Sequence, residues 1–358
     1  MRFYMMGIAT AMAVALLGVA NYTPSLANDK LFARENFLFA DDTPVWDVLT
    51  YFGRVKLHAA NMNLAGVSAE RGKELVFTGT TTNPNTGKST PQQSKKFTCI
   101  ACHNTVREFA DMSDSKPENR LKYAIENDVP FLQGTTFFGI VNREKFFNGD
   151  YQQLYATAPD IQAARADLRK AIGVCATNSA QGRALEAWET ESILAYFWTL
   201  QLRLSDLSLT KDDREKIEFA VTEKSSLSRA VNIVENKYLD NSPAKFTPAM
   251  EYRTLDSQIS RNEARIANGK KIYDLGCKHC HAGKRFAPMA FDDKPKTFKT
   301  LVSHLKHGHK KSFYKITRYG TYKTGSKKAY MPQYTAEKMT DEQLLDLRIY
   351  IEKMAGGK

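Results

Sequence analysis

Long apolar runs are missing from this 358-residue chain after residue 20. No later segment offers the ~20 consecutive apolar residues that a membrane span requires. No nucleic-acid-binding motif accompanies the net charge of +12. The charge therefore points to other anionic partners, either small inorganic oxyanions or acidic proteins. Acidic residues are absent from Lys294 to Ala336, and histidine is absent between His103 and Glu189, where Met112 is the only methionine. Cysteine is scarce, at five residues. What remains is ordinary: 42% hydrophobic and 25% charged residues mark a soluble globular protein, and the length allows two domains.

Four of the five cysteines stand in Cys99-Ile-Ala-Cys102-His103 and Cys277-Lys-His-Cys280-His281. Cys-x-x-Cys-His is the attachment pattern of c-type haem. The two sulfurs bond the porphyrin's vinyl groups, and a short turn then presents the imidazole to the iron. A single copy can arise by chance; two copies predict two covalently bound haem c groups, with His103 and His281 as axial ligands. Residues 1–27 fit an export signal, with Arg2, an apolar stretch from Met5 to Ala20, and small residues at Ser25-Leu-Ala27. Covalent haem attachment takes place outside the cytoplasm, so a periplasmic location is expected. Retention of the signal as a membrane anchor is the rival.

An internal repeat sets the domain organisation. Arg71-Gly-Lys-Glu-Leu-Val-Phe77 and Asn268-Gly-Lys-Lys-Ile-Tyr273 each precede a haem motif. The first copy carries 19 additional residues, which match the loop-like Thr78–Lys96 run. Closing amphipathic helices are expected at Glu189–Leu202 and Thr340–Met354. The chain is thus expected to be all-α, with two class I cytochrome c domains in tandem at 70–204 and 262–358. An N-terminal extension covers 28–69, and a helical linker covers 205–261, with the boundary near Pro243–Glu251. The extension suggests one helix with apolar residues on one face. Its His58 and Met62 read as packing or surface residues, although either type can ligate iron.

The second axial positions carry more about function. In the second domain Tyr330-Met331-Pro332 precedes the closing helix, and its Met-Pro pair resembles the methionine ligand loop of class I cytochromes. A thioether ligand raises the potential, as an electron carrier requires. Core filling is the plain alternative for Met331. Lys327 and Lys328 are alternative ligands in some redox state, and Met339 is a weaker candidate. In the first domain the fifth cysteine, Cys175, stands 16 residues before Glu191, where the repeat asks for a ligand. A thiolate on iron lowers the potential; a buried free cysteine is the alternative.

Together these residues resemble the dihaem thiosulfate dehydrogenases, which also act as tetrathionate reductases, and more distantly the SoxA cytochromes of sulfur oxidation. The likeness spans residues 70–355. It rests on Cys99–His103, the run Cys175–Leu185, the helix Glu189–Leu202, Cys277–His281 and Met331. It implies an oxidoreductase that joins two thiosulfates to tetrathionate, or the reverse, over the first haem. Cys175 would be the thiolate ligand and Ser179 a nearby hydroxyl donor. The family has an arginine four residues before the ligand cysteine, and this chain has Ala171 there. Arg169 and Arg143 are the anion clamps expected in its place, because a guanidinium fork suits an oxyanion better than Lys170 does. Exposed basic residues without a role are the alternative for each.

The acid-free stretch holds Lys306, Lys310, Lys311, Lys315, Arg318, Lys323, Lys327 and Lys328. A basic rim of this kind would steer an acidic redox partner to the second domain, unless it is simply a solvated face. His304, His307 and His309 in the same stretch read as surface residues. Two other functions stay open: a non-catalytic dihaem electron carrier, and a SoxA-like subunit of a sulfur-oxidising complex. A dihaem peroxidase is disfavoured, because the first domain offers no second histidine.

Overall fold

The computed structural model describes residues 39–241, 243–251, 260–287, 289–305, 312–321 and 329–356. The export segment expected at 1–27 lies outside them, as do Lys306, Lys310, Lys311, Lys323, Lys327, Lys328, His307 and His309. The first helix, α1 (Val45–Tyr51), buries Val45, Trp46, Val48 and Leu49. Gly53 follows with φ +89°, a left-handed conformation that ends the helix. The single helix expected in the extension is therefore short, and turns carry the chain onward. Met62 is exposed, and His58 is half-buried with its ring nitrogen on the Arg143 carbonyl.

Ser68 opens α2 (Ala69–Thr78) by accepting from the Arg71 amide, and left-handed Gly79 closes it. A proline in the first turn opens α3 (Pro117–Asn127). Two short helices, α4 (Tyr151–Leu154) and α5 (Pro159–Ala164), lead to α6 (Leu168–Val174). A capping box between Glu186 and Glu189 starts α7 (Ala187–Thr199). The linker carries α8 (Lys211–Thr222) and α9 (Leu227–Glu235). Then follow α10 (Glu263–Ile272), α11 (Lys278–His281), α12 (Pro295–Leu305), α13 (Phe313–Tyr319) and α14 (Asp341–Met354), the last opened by a Thr340–Gln343 capping box. No strand occurs among the described residues, so the architecture is all-α. No described helix is long and apolar enough to cross a membrane.

The repeated glycines lie where helices touch. A Cβ on Gly72 of α2 would stand 1.8 Å from the Ser192 carbonyl oxygen of α7. One on Gly269 of α10 would stand 2.0 Å from that of Asp346 on α14. Only a residue without a side chain lets two backbones approach this closely. Each unit is thus clasped by its first and last helices at a glycine.

Two apolar cores follow from this plan. The first gathers α1, α2, α6 and α7 with the linker residues Ile217, Ala220, Ala230, Val231 and Val234. The second gathers Ile272, Tyr273, Phe298, Leu301, Tyr314, Leu344, Leu347 and Ile351. It also takes in Leu121 and Ala124 of α3 and Phe131, which precede Cys175 in the chain. The N-terminal half therefore supplies one wall of the C-terminal core. Polar bonds pin that wall: Phe131 N donates to Leu275 O at 3.0 Å, the Tyr334 hydroxyl donates to Phe131 O at 2.8 Å, and Gln343 Nε2 donates to Pro117 O at 2.9 Å.

Candidate haem sites

In the C-terminal unit a wide π-helical turn over Tyr273–Cys277 runs into α11, which carries Cys280 and His281. Burial depresses the His281 pKa, partly offset by the hydrogen bond to Met289 O at 2.8 Å. A carbonyl only accepts, so Nδ1 carries the proton and Nε2 keeps its lone pair for a metal. Phe291 stacks on the imidazole, 4.1 Å between centroids at 13°. Met331 is fixed through its backbone: its N–H donates to Thr321 Oγ1 at 2.7 Å, and its carbonyl accepts from Thr321 N at 3.0 Å. Met339, the weaker ligand candidate, is buried in the second core.

The N-terminal unit repeats the arrangement. Cys99–Ala101 forms a single 3₁₀ turn, followed by Cys102 and His103. His103 Nδ1 donates to Thr135 O at 2.6 Å, and Phe137 stacks on the ring at 4.6 Å and 16°. In both units the acceptor carbonyl lies two residues before the stacking phenylalanine. The acceptor comes 8 residues after His281 and 32 after His103, because α3 is inserted in the first unit. Gly134 is needed here, since a Cβ would stand 2.6 Å from His103 Nδ1.

The freed Nε2 of His103 faces Cys175 Sγ at 4.0 Å. Cys175 begins another π-helical turn, Cys175–Ser179, which continues α6 and aims the sulfur inward. Metal–imidazole and metal–thiolate bonds of about 2.1 and about 2.3 Å, as at zinc, sum to about 4.4 Å. The gap therefore suits one ion held by both atoms. Cys175 is in no disulfide. Burial pushes the Cys99 thiol up to about 12 and raises Cys102 well above the usual thiol range, with Cys175 within electrostatic reach of both. The residues present fit a covalently attached haem at this motif as they do at the second.

Other side chains gather on the cysteine side that no spacing in the sequence announced. The Tyr330 hydroxyl, raised by burial, is hydrogen-bonded to Ser179 and lies within electrostatic reach of Cys175 and Cys102. Phe97 packs against its ring at 5.9 Å. Burial pushes Tyr151 up to about 12, and its hydroxyl is bonded to Gln333. The segment carrying Met331 thus also reaches the first site. Only the repeated aromatic after each histidine motif was available as a sequence signal, and the carbonyl that completes the device has no residue type of its own.

The basic residues separate into two kinds. Arg169 does not stand free as an anion clamp: Nε and Nη2 bind Glu191 at 2.5 and 2.9 Å, and Nη2 also donates to Ala59 O. A carboxylate already in the fork neutralises the charge that an oxyanion would need. Arg143 keeps its guanidinium without a hydrogen-bond or ion-pair partner among the described residues, and burial lowers it to about 10. Arg318, expected on the basic rim, is instead buried at 2% exposure on Asp341, Tyr334 O and Met339 O. Among the described residues no three His, Cys, Asp or Glu side chains form a separate metal cluster.

The two motifs touch. His279 Nε2 donates to Ile100 O at 2.9 Å, and Cys280 Sγ lies 3.6 Å from Ala101 O. Each Cys-x-x-Cys loop is therefore backed by the other. No curated protein and no solved structure matches the chain. Residues 266–355 do match the cytochrome c family model, so the C-terminal unit is a c-type cytochrome domain, built for covalent haem c and haem-based electron transfer.

Proposed function

We propose that the protein is an exported cytochrome with a second covalent haem at Cys99–His103. In this reading it oxidises thiosulfate to tetrathionate, or runs the reverse, on the Cys175 side of that haem. The observation that carries this reading is the 4.0 Å separation of His103 Nε2 and Cys175 Sγ. The matching His–carbonyl and His–Phe geometry of the two units supports it. A thiolate-ligated iron supplies a low-potential one-electron centre and a methionine-ligated iron a higher one. Joining two thiosulfates through a sulfur–sulfur bond releases two electrons and no proton. Haem groups held by Cys99, Cys102 and His103 and by Cys277, Cys280 and His281 would supply one-electron chemistry for the two electrons, with an external acceptor as their destination.

The chain's own residues have separate tasks. Thr135 O and Phe137 hold the His103 ring in one tautomer and orientation. The hydroxyls of Ser179 and Tyr330 offer donors to sulfonate oxygens. Arg143 contributes positive charge, and Phe97 with Tyr330 limits water. Purified holoprotein should reduce ferricyanide with thiosulfate. Cys175→Gly should keep both haems by mass and lose turnover. Turnover unchanged in that variant removes Cys175 from the catalysis, and inertness of the wild type towards thiosulfate and tetrathionate alike leaves the second reading, a non-catalytic carrier. The direct contact of the two motifs through His279 and Cys280 favours electron passage between haems in either case.

A further inference from the structure

Lys338 sits in the turn before α14, in the C-terminal unit, yet acts electrostatically on His103 of the first. Its backbone is fixed on both sides: N–H donates to Thr335 O at 3.0 Å, and its carbonyl accepts from Arg120 Nη1 at 3.2 Å. The residue is 8% exposed, and Nζ has no hydrogen-bond or ion-pair partner among the described residues. Arg143, within electrostatic reach of Lys338, is equally unpartnered among them. Both are depressed chiefly by burial, Lys338 down to about 8 and Arg143 to about 10.

The nearby carboxylates are already engaged. Glu108 accepts from Arg120 at 2.9 and 3.1 Å and from Asn104 at 2.6 Å. Glu337 accepts from Lys245 N at 2.8 Å and from the Thr335 hydroxyl at 2.6 Å. Asp240 accepts from Asn241. Two unpartnered cations within electrostatic reach of each other, Lys338 buried and Arg143 half-buried, repel each other and lose hydration, a cost that a bound anion offsets.

We propose that Lys338 and Arg143 together bind a pair of anionic oxygens beside His103, so that the C-terminal unit completes the first site. That chemistry has two sources. One is the porphyrin's own two carboxylates, which requires only a haem at the first motif; the other is a free sulfur oxyanion, which rests on the thiosulfate reading.

The test uses full-length holoprotein carrying Lys338→Gln, Lys338→Arg or Arg143→Gln. The readouts are the potential of the first haem without added anion, and the dissociation constant of thiosulfate from the haem spectrum. Porphyrin carboxylates predict a lower potential in both Gln variants, because lost positive charge favours the ferric state. They also predict that Lys338→Arg restores the wild-type potential and that Lys338→Gln leaves thiosulfate affinity unchanged. A free oxyanion predicts an unchanged potential and about tenfold weaker thiosulfate binding, or about 1.4 kcal/mol. If neither quantity moves in either Gln variant, the proposal is wrong. Should Lys338→Gln not fold, Arg143→Gln carries the same two readouts. A wild type inert towards thiosulfate whose Gln variants still shift the potential separates failure of the enzyme reading from failure of this one.

Discussion

Glu108 lies within electrostatic reach of His103 and is linked through Arg120 to the C-terminal unit. Its carboxylate lies under Arg120, with both side chains essentially buried, and Arg120 continues to Leu132 O and Lys338 O. Burial alone would raise the Glu108 pKa. The Arg120 and Lys338 charges, with hydrogen bonds from Arg120 and Asn104, outweigh it and hold the carboxyl below 4.5. A depressed carboxylate stabilises fully above its ordinary value, and the stabilisation drains as pH falls through the folded value. Glu108→Gln should cost about 3–5 kcal/mol at neutral pH, because Arg120 is left buried and unpaired. Thermal melts from pH 7 to pH 3 check this. The variant's melting temperature should also depend less on pH below 4.5 than the wild type's.

The units are held by helix pairs, and α2 with α7 and α10 with α14 are the clasps. Their closeness is a backbone property, set by Gly72 and Gly269. Gly72→Ala or Gly269→Ala drives a methyl into a carbonyl that cannot rotate away. Each should destabilise by roughly 1–3 kcal/mol as overpacking does, read as a lower melting temperature with the haem spectrum intact at 25 °C. A neutral effect at either position would mean that the helices are free to slide apart. The inserted α3 differs in kind. It lengthens the first unit, but its apolar side, through Leu121 and Ala124, belongs to the second core.

That exchange makes the molecule one cooperative body at the scale of its cores. The C-terminal unit matches a self-contained family, yet here it leans on Leu121, Ala124 and Phe131 and on bonds from Phe131, Pro117 and Arg120. Residues 260–356 produced alone should therefore melt below the full chain and bind a hydrophobic dye. Equal stability, measured by calorimetry on both, would sink the claim of a shared core.

The sequence by itself determined whatever is local or covalent. Two Cys-x-x-Cys-His motifs need four intervening bonds and no fold to be legible. The glycine-bearing repeat marks the clasp helices, because close packing leaves a residue-type trace. Cys175 stood out because it lies outside both haem motifs. Tertiary structure decided what passes between distant segments. Arg169 was drawn to Glu191 and away from anions, and Arg318 into the core, since a guanidinium takes the nearest carboxylate in space. Thr135 and Met289 act through carbonyls, which every residue owns, so no letter reveals them. Tyr330 and Lys338 reach the first site from the second unit, a proximity that only the packing of the two units creates.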